Sequence, residues 1–293
     1  MNQTYIFSKE TRNENLFYLA VAPLFIYGIY KNGYLLYTNK YINLFEVFKV
    51  AMYPLISILI GYLVGLIFKN KKSELLKFGV LAGLVAPFDF NMIAYFSICI
   101  GMMFVVALVP NHLKINNIAF LCTILIILNK VFNNSIIFNP MEITNMYKFT
   151  LFDLFFGRGA SFLYTSSIFW LLISYVILSF IKTYKKNIFI ISSITFIVLS
   201  LIYMLITKTY LNNLILLLNG TSFFSFIFIA PINESSPSIS NEITIYSILV
   251  GLISFILVFI FKVYTGAIIT VFALSIIYRI YSIIRQKIFL KHT

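Results

Sequence analysis

Read from the amino terminus, the chain is a succession of apolar runs broken by charges or by clusters of Asn, Pro and Ser. The runs predict helices over 16–37, 47–68, 75–90, 91–109, 117–138, 162–181, 188–206, 211–230, 243–261 and 264–284. Most come close to the roughly 20 residues an α-helix needs to cross about 30 Å of hydrocarbon. The third and fourth are parted only by the turn at Pro87–Asn91. The pattern predicts an all-α polytopic membrane protein with about ten crossings.

Composition strengthens that expectation. Of 293 residues, 61% are hydrophobic and 11% are charged, and the mean hydropathy is +0.96. A soluble domain carries about 25% charged residues. The net charge of +13 does not point to nucleic acid, because no basic stretch lies in a water-soluble context. It fits a polytopic protein that keeps Lys and Arg in cytoplasmic loops. Under ten crossings one side holds Lys9, Arg12, Lys69, Lys71, Lys72, Lys77, Lys114, Lys182, Lys185, Lys186, Arg279, Arg285, Lys287 and Lys291. The other holds half as many: Lys31, Lys40, Lys49, Lys148, Arg158, Lys208 and Lys262. This bias predicts a cell-membrane protein with both termini in the cytoplasm. The first apolar run lacks a basic leader and a small-residue cleavage site, so no removable signal peptide is expected. Cys99 and Cys122 lie in apolar runs without metal-like spacing and read as small core residues.

The two halves of the chain echo each other. Residues 79–91 (GVLAGLVAPFDFN) precede an apolar helix with a central Gly101, and residues 220–235 (GTSFFSFIFIAPINES) precede one with Gly251. The Ala-Pro pairs at 86–87 and 230–231 are 144 residues apart, and each is followed by an acid, Asp89 or Glu234. With five crossings per half, the second copy enters from the opposite face, as an inverted repeat. The expected domains are a first half over 1–138, an external loop over 139–161 and a second half over 162–293. Such folds place their site at the repeat interface, where Pro- and Gly-broken or re-entrant segments expose backbone.

Only nine acidic residues exist, so each carries information. Glu10, Glu14, Glu46, Glu74 and Glu242 sit at helix ends or loops beside basic residues, and Glu142 lies in a loop. Asp89, Asp153 and Glu234 adjoin apolar helix, where an ionisable group is kept for a partner, for ion coupling or as a helix cap. Catalytic constellations are absent. His112 and His292 cannot build a metal cluster, and no P-loop, dinucleotide fingerprint or nucleophile elbow occurs. Gly157-Arg158-Gly159 with Ser161, Thr165, Ser166 and Ser167 stands before a helix, where amides and hydroxyls can hold a polar ligand group or simply cap the helix.

These segments resemble the RnfD/NqrB family. Its members are membrane components of Rnf-type electron-transport complexes and of the sodium-translocating NADH:quinone reductase. Asp153-Leu-Phe-Phe-Gly-Arg-Gly-Ala-Ser-Phe-Leu-Tyr-Thr-Ser-Ser167 is similar to the family's D-L-F-L-G-x-x-P-G-S-x-G-E-T-S segment. Residues 219–238 (NGTSFFSFIFIAPINESSPS) resemble its G-G-x-x-F-x-A-F-F-M-A-T-D-P-V-T-S-P-M-T, and His112–Ala119 matches G-G-L-G-x-N-x-F-N-P-A more weakly. The resemblance implies ten helices in two inverted five-helix halves, a urea-transporter-like architecture, and flavin as cofactor. In the family, FMN is esterified to the threonine of an S-G-A-T motif in the external loop. That loop has no such motif here, and Thr144 and Thr150 lack small neighbours. The glutamate of E-T-S is replaced by Tyr164 and the aspartate of T-D-P by Asn233.

Two functions follow from the resemblance. One is a permease for riboflavin or a related flavin held without a covalent bond, favoured by the missing tether. The other is a flavin-carrying component of an ion-translocating redox complex, working with other membrane subunits. In the first, Asn219, Thr221, Ser222, Ser235, Ser236 and Ser238, together with Ser161, Thr165 and Ser166, meet the ring edge or ribityl hydroxyls. Phe223 and Phe224 stack on the ring, while Asp89, Glu234 and Asp153 couple ions or cap helices.

Overall fold

The computed structural model describes residues 2–87, 91–110, 115–132, 150–158, 161–232 and 235–289. Among these residues every regular element is helical, with no β-strand. Helix α1 (Asn2–Ile29) runs on through a π turn (Tyr30–Tyr34) and a last α turn (Leu35–Thr38). It is followed by α2 (Leu44–Ile67), α3 (Lys72–Leu84), α4 (Met92–Leu108) and α5 (Asn117–Phe132). A short helical piece, Leu151–Asp153, precedes α6 (Ile168–Ser179), α7 (Lys186–Thr207) and α8 (Tyr210–Leu217). Then come α9 (Gly220–Phe224) with a π turn (Ser225–Ile229), α10 (Ser240–Phe255) with a π turn (Ile256–Ile260), and α11 (Gly266–Phe289).

Among the described residues, four helical stretches are long and apolar enough to cross a membrane: Leu44–Ile67, Lys186–Thr207, Ser240–Ile260 and Gly266–Arg285. At 1.5 Å per residue the first is about 36 Å long, enough for the hydrocarbon core. Their outward faces are apolar: Phe45, Leu55, Leu59 and Leu63 on α2, and Ile202, Leu205 and Ile206 on α7, are all exposed. Surfaces this apolar have no stable place in water. The chain is a membrane protein.

The first helix, expected from residue 16, begins at Asn2, and three other expected helices start late, break or end early. The stretch expected as helix over 162–181 becomes helical only at Ile168. Thr165, Ser166 and Ser167 favour caps over helix interior, and Ser167 Oγ accepts from the Trp170 amide at 3.5 Å. The helix expected over 211–230 is interrupted between Leu217 and Gly220, because Asn219-Gly220 is a poor helical pair. The helix expected over 75–90 stops at Leu84, since Pro87 pushes the residue before it out of helical geometry.

The chain divides into two compact units, Met1–Ala107 with Leu128–Tyr184 and Leu218–Gly220, and Leu108–Ile127 with Lys185–Leu217 and Thr221–Thr293. In the first unit α2 and α3 form the most intimate pair. Ser57, Gly61 and Gly65 make a small-residue face at four-residue spacing, the arrangement that lets membrane helices approach closely. A Cβ on Gly79 would lie 2.6 Å from the Ser57 carbonyl oxygen and 3.2 Å from Gly61 Cα. Lys71 closes the end of α4, donating to the Val106 and Ala107 carbonyls at 3.1 and 2.8 Å. Glu14 accepts from Ser73 and pairs with Lys77 at 3.7 Å. In the second unit α10 packs against α7 and α11. Phe196 meets Phe226 and Phe259 edge-on, with centroids 5.6 and 5.8 Å apart.

The close helix pair predicts a contrast. Gly79→Ala should destabilise the protein by about 1–3 kcal/mol, read as a lower unfolding temperature in detergent. Gly101→Ala, whose Cβ would meet nothing within 4 Å, should be neutral or slightly stabilising. Equal melting of the two variants would contradict the α2–α3 contact.

Candidate functional site

In the first unit the residues that matter converge on a buried, non-helical stretch, 161–167. Its approach is built by a capping box. The Thr150 amide and hydroxyl both donate to Asp153 Oδ2 at 2.9 Å, and the Asp153 amide returns a bond to Thr150 Oγ1 at 3.2 Å. Asp153 therefore serves as a helix cap. The chain then turns at Gly157, whose φ of +103° is open to glycine and strained for other residues. A Cβ there would lie 2.8 Å from the Ser167 amide nitrogen. Gly220 is pressed closer still against the Thr165 carbonyl, and a Cβ there would lie 2.8 Å from the Ser166 carbonyl oxygen.

Ser161, Thr165, Ser166 and Ser167 are each no more than 3% exposed. A buried stretch outside helix has to find partners for its backbone. The Asn32 side-chain amide donates to the Leu163 carbonyl, and the Tyr164 hydroxyl donates to the Val50 carbonyl. The Thr165 amide bonds to the Phe162 carbonyl at 3.2 Å. Lys31 is buried on the same π turn as Asn32, and its Nζ donates to Ser166 Oγ at 3.2 Å. Ser161 Oγ donates to the Phe162 carbonyl at 3.0 Å. Asn219, buried ahead of Gly220, also belongs to this unit.

Two atoms of this cluster are left over. The Leu163 carbonyl can only accept, so the Asn32 NH2 faces it and Oδ1 points elsewhere. Neither Asn32 Oδ1 nor Thr165 Oγ1 has a hydrogen-bond partner among the described residues. Leaving a buried polar atom unpaired costs about 1–3 kcal/mol. A ligand presenting a donor to Asn32 and an acceptor to Thr165 would recover it.

The second unit holds the other sequence-predicted residues. Thr221 and Ser222 are fully buried in the first turn of α9, and Ser222 Oγ has no partner among the described residues. Phe223 and Phe224 already have aromatic neighbours. Phe226 lies 6.4 Å from Phe223 and Phe228 lies 5.5 Å from Phe224. Asn116, fully buried, pins the end of the π turn. Its Nδ2 donates to the Ile229 carbonyl at 2.8 Å and to Ser235 Oγ at 3.1 Å, while Oδ1 accepts from the Ala119 amide at 3.1 Å. Ser236 receives Lys185, whose Nζ donates to its carbonyl at 3.0 Å and its hydroxyl at 2.8 Å. Desolvation lowers the Lys185 pKa from 10.5 to about 8. Ser238 is exposed and lines a pocket of about 290 Å³ with Glu242, Tyr278, Tyr281 and Arg285. There Arg285 pairs with Glu242 at 2.6 Å.

The predicted set is thus divided: Ser161, Thr165, Ser166 and Asn219 in one unit, Thr221 to Phe224, Ser235, Ser236 and Ser238 in the other. Asp89 and Glu234, proposed for coupling or capping, lie outside the described residues. Lys31, Asn32, Asn116 and Lys185 were missed from sequence. A lysine inside an apolar run is expensive and marks a site, so Lys31 carried a signal that charge counting alone did not use. We find no protein-family model that matches the chain, and no curated protein that matches it.

Two outcomes are expected. Asn116→Ala leaves the Ile229 carbonyl only the longer bond from the Ile232 amide at 3.3 Å and strips the Ala119 amide of its cap, and should destabilise the protein by about 1–3 kcal/mol in chemical or thermal unfolding. For Lys185, the folded state loses its proton near pH 8 and the unfolded chain only near 10.5. The unfolded state binds more protons between those values, so stability contributed by this residue rises with pH across that window. Melting temperatures of wild type and Lys185→Met should therefore diverge in favour of wild type from pH 8 to 10.5. A constant difference would mean that the Lys185 ammonium is well solvated.

Proposed function

We propose that this protein is a flavin-binding integral membrane protein, a permease for riboflavin or a related flavin. In this reading ten helices form two inverted halves in the cell membrane with both termini in the cytoplasm. The observation that carries it is the placement of the family-like segments. The described parts of 153–167 and 219–238 include stretches where helix gives way to buried irregular backbone and π turns. Irregular backbone at membrane depth is tolerated where it is enclosed by protein or lines a pathway, and broken helices are where transporters hold their substrates. Apart from Asp153, Arg158 and Glu234 and the partners Lys31 and Lys185, the polar side chains there are uncharged hydroxyls and amides and suit a ligand rich in hydroxyls and carbonyls. The absent S-G-A-T threonine supports a ligand that comes and goes.

Labelled riboflavin uptake into vesicles containing only this protein tests the proposal. Saturable uptake, competed by unlabelled flavin, is the expected result. No saturable uptake, together with a band that fluoresces as bound FMN on a denaturing gel, would instead make it a redox-complex component like the family it resembles.

A further inference from the structure

A pocket in the second unit sits where two membrane-crossing stretches end side by side. Ser238 and Glu242 line it at the start of the Ser240–Ile260 stretch, and Tyr278, Tyr281, Ser282 and Arg285 at the finish of Gly266–Arg285. They enclose about 290 Å³. The helices that carry them, α10 and α11, pack on each other, so the pocket is a cleft between two membrane helices.

Its polar groups are mostly donors. Glu242 has both oxygens engaged: Oε1 accepts from Arg285 Nη1 at 2.6 Å, and Oε2 accepts from the Tyr278 hydroxyl at 3.2 Å. Any cation would have to compete with Arg285 for that carboxylate. Arg285 commits a single N–H to it and keeps the rest of its donor fork, on a side chain that is 43% exposed. The Ser238, Tyr281 and Ser282 hydroxyls line the same cleft. A guanidinium edge with hydroxyls around it suits the oxygens of an anion, and a phosphate above all.

Depth selects the kind of phosphate. Leading away from the cleft, Ile277, Ile280 and Ile284 on α11 and Ile245 and Ile248 on α10 are all exposed, as faces that lie against acyl chains are. Tyr278 and Tyr281 are of the type that gathers at headgroup level. Clefts of this kind between membrane helices hold lipid headgroups. We propose that this cleft binds the phosphate group of a membrane phospholipid. Arg285 and the three hydroxyls hold the phosphate, Glu242 fixes the guanidinium from its other side, and the acyl chains lie along the isoleucines. The site stands whether or not the transported ligand is a flavin.

The test is lipid binding by the full-length protein, delipidated in detergent, read as the affinity of the tightest-bound lipid in native mass spectrometry. Dioleoylphosphatidylglycerol is the probe, dioleoylglycerol the phosphate-free control and inorganic phosphate the soluble one. Wild type should bind the phospholipid saturably and the phosphate-free lipid roughly tenfold more weakly or worse, because the latter lacks the charge-assisted hydrogen bonds. Arg285→Gln should cost roughly tenfold in phospholipid affinity with little change in melting temperature, since a partly exposed ion pair contributes little. Glu242→Gln, which releases the guanidinium, should bind the phospholipid as tightly as wild type or more tightly. If the ion pair were only structural, both variants would melt lower and bind lipid like wild type, and that result overturns the proposal. So does equal binding of the phosphate-free lipid. Inorganic phosphate binding as tightly as the phospholipid would overturn the lipid assignment and make this a site for a soluble anion.

Discussion

Everything particular about this chain follows from one requirement: a backbone N–H or C=O in apolar surroundings must be paired within the protein. Helix meets it automatically, so the helices need no comment beyond their apolar faces. At several of the described places where the chain leaves helix, a polar side chain arrives. Asn32 and Tyr164 serve the 161–167 stretch and its neighbour α2, and Asn116 meets the Ile229 carbonyl. Lys71 takes the end of α4, and Lys185 takes the Ser236 carbonyl. The polar residues of a sequence this apolar are few, and a large share of them work at such breaks.

The breaks also separate two kinds of polar group. Asn116 is saturated: both ends of its amide are engaged, and it belongs to the architecture. Asn32 is half-used, and Thr165 and Ser222 keep hydroxyls that nothing described satisfies.

Much of the helical scaffold was legible. The expectation of 188–206 against the observed Lys186–Thr207, and of 264–284 against a start at Gly266, shows that a long apolar run bounded by charges needs no tertiary information. The run over 162–181 misled because Phe162, Leu163 and Tyr164 are as apolar as a helix core, yet they are buried outside helix. Hydropathy records that a residue avoids water, not the conformation in which it does so. The site was legible by residue type, as hydroxyl clusters in an apolar chain. Its partners were not. Lys31 meets Ser166 across 135 residues and Asn116 meets Ile229 across 113, and neither partner's local sequence announces the other.

The π turns at Tyr30–Tyr34, Ser225–Ile229 and Ile256–Ile260 each hold one residue more than an α-helix of the same height. Deleting a single residue in any of them would restore plain α-helix and leave the helix on either side in place. Lys31 and Asn32 owe their position to such an inserted residue. Distant relatives of this chain are accordingly expected to differ from it by one-residue gaps at these three places. An ungapped match that is in register before Ser225 would be out of register after Ile229, within the second of the family-like segments.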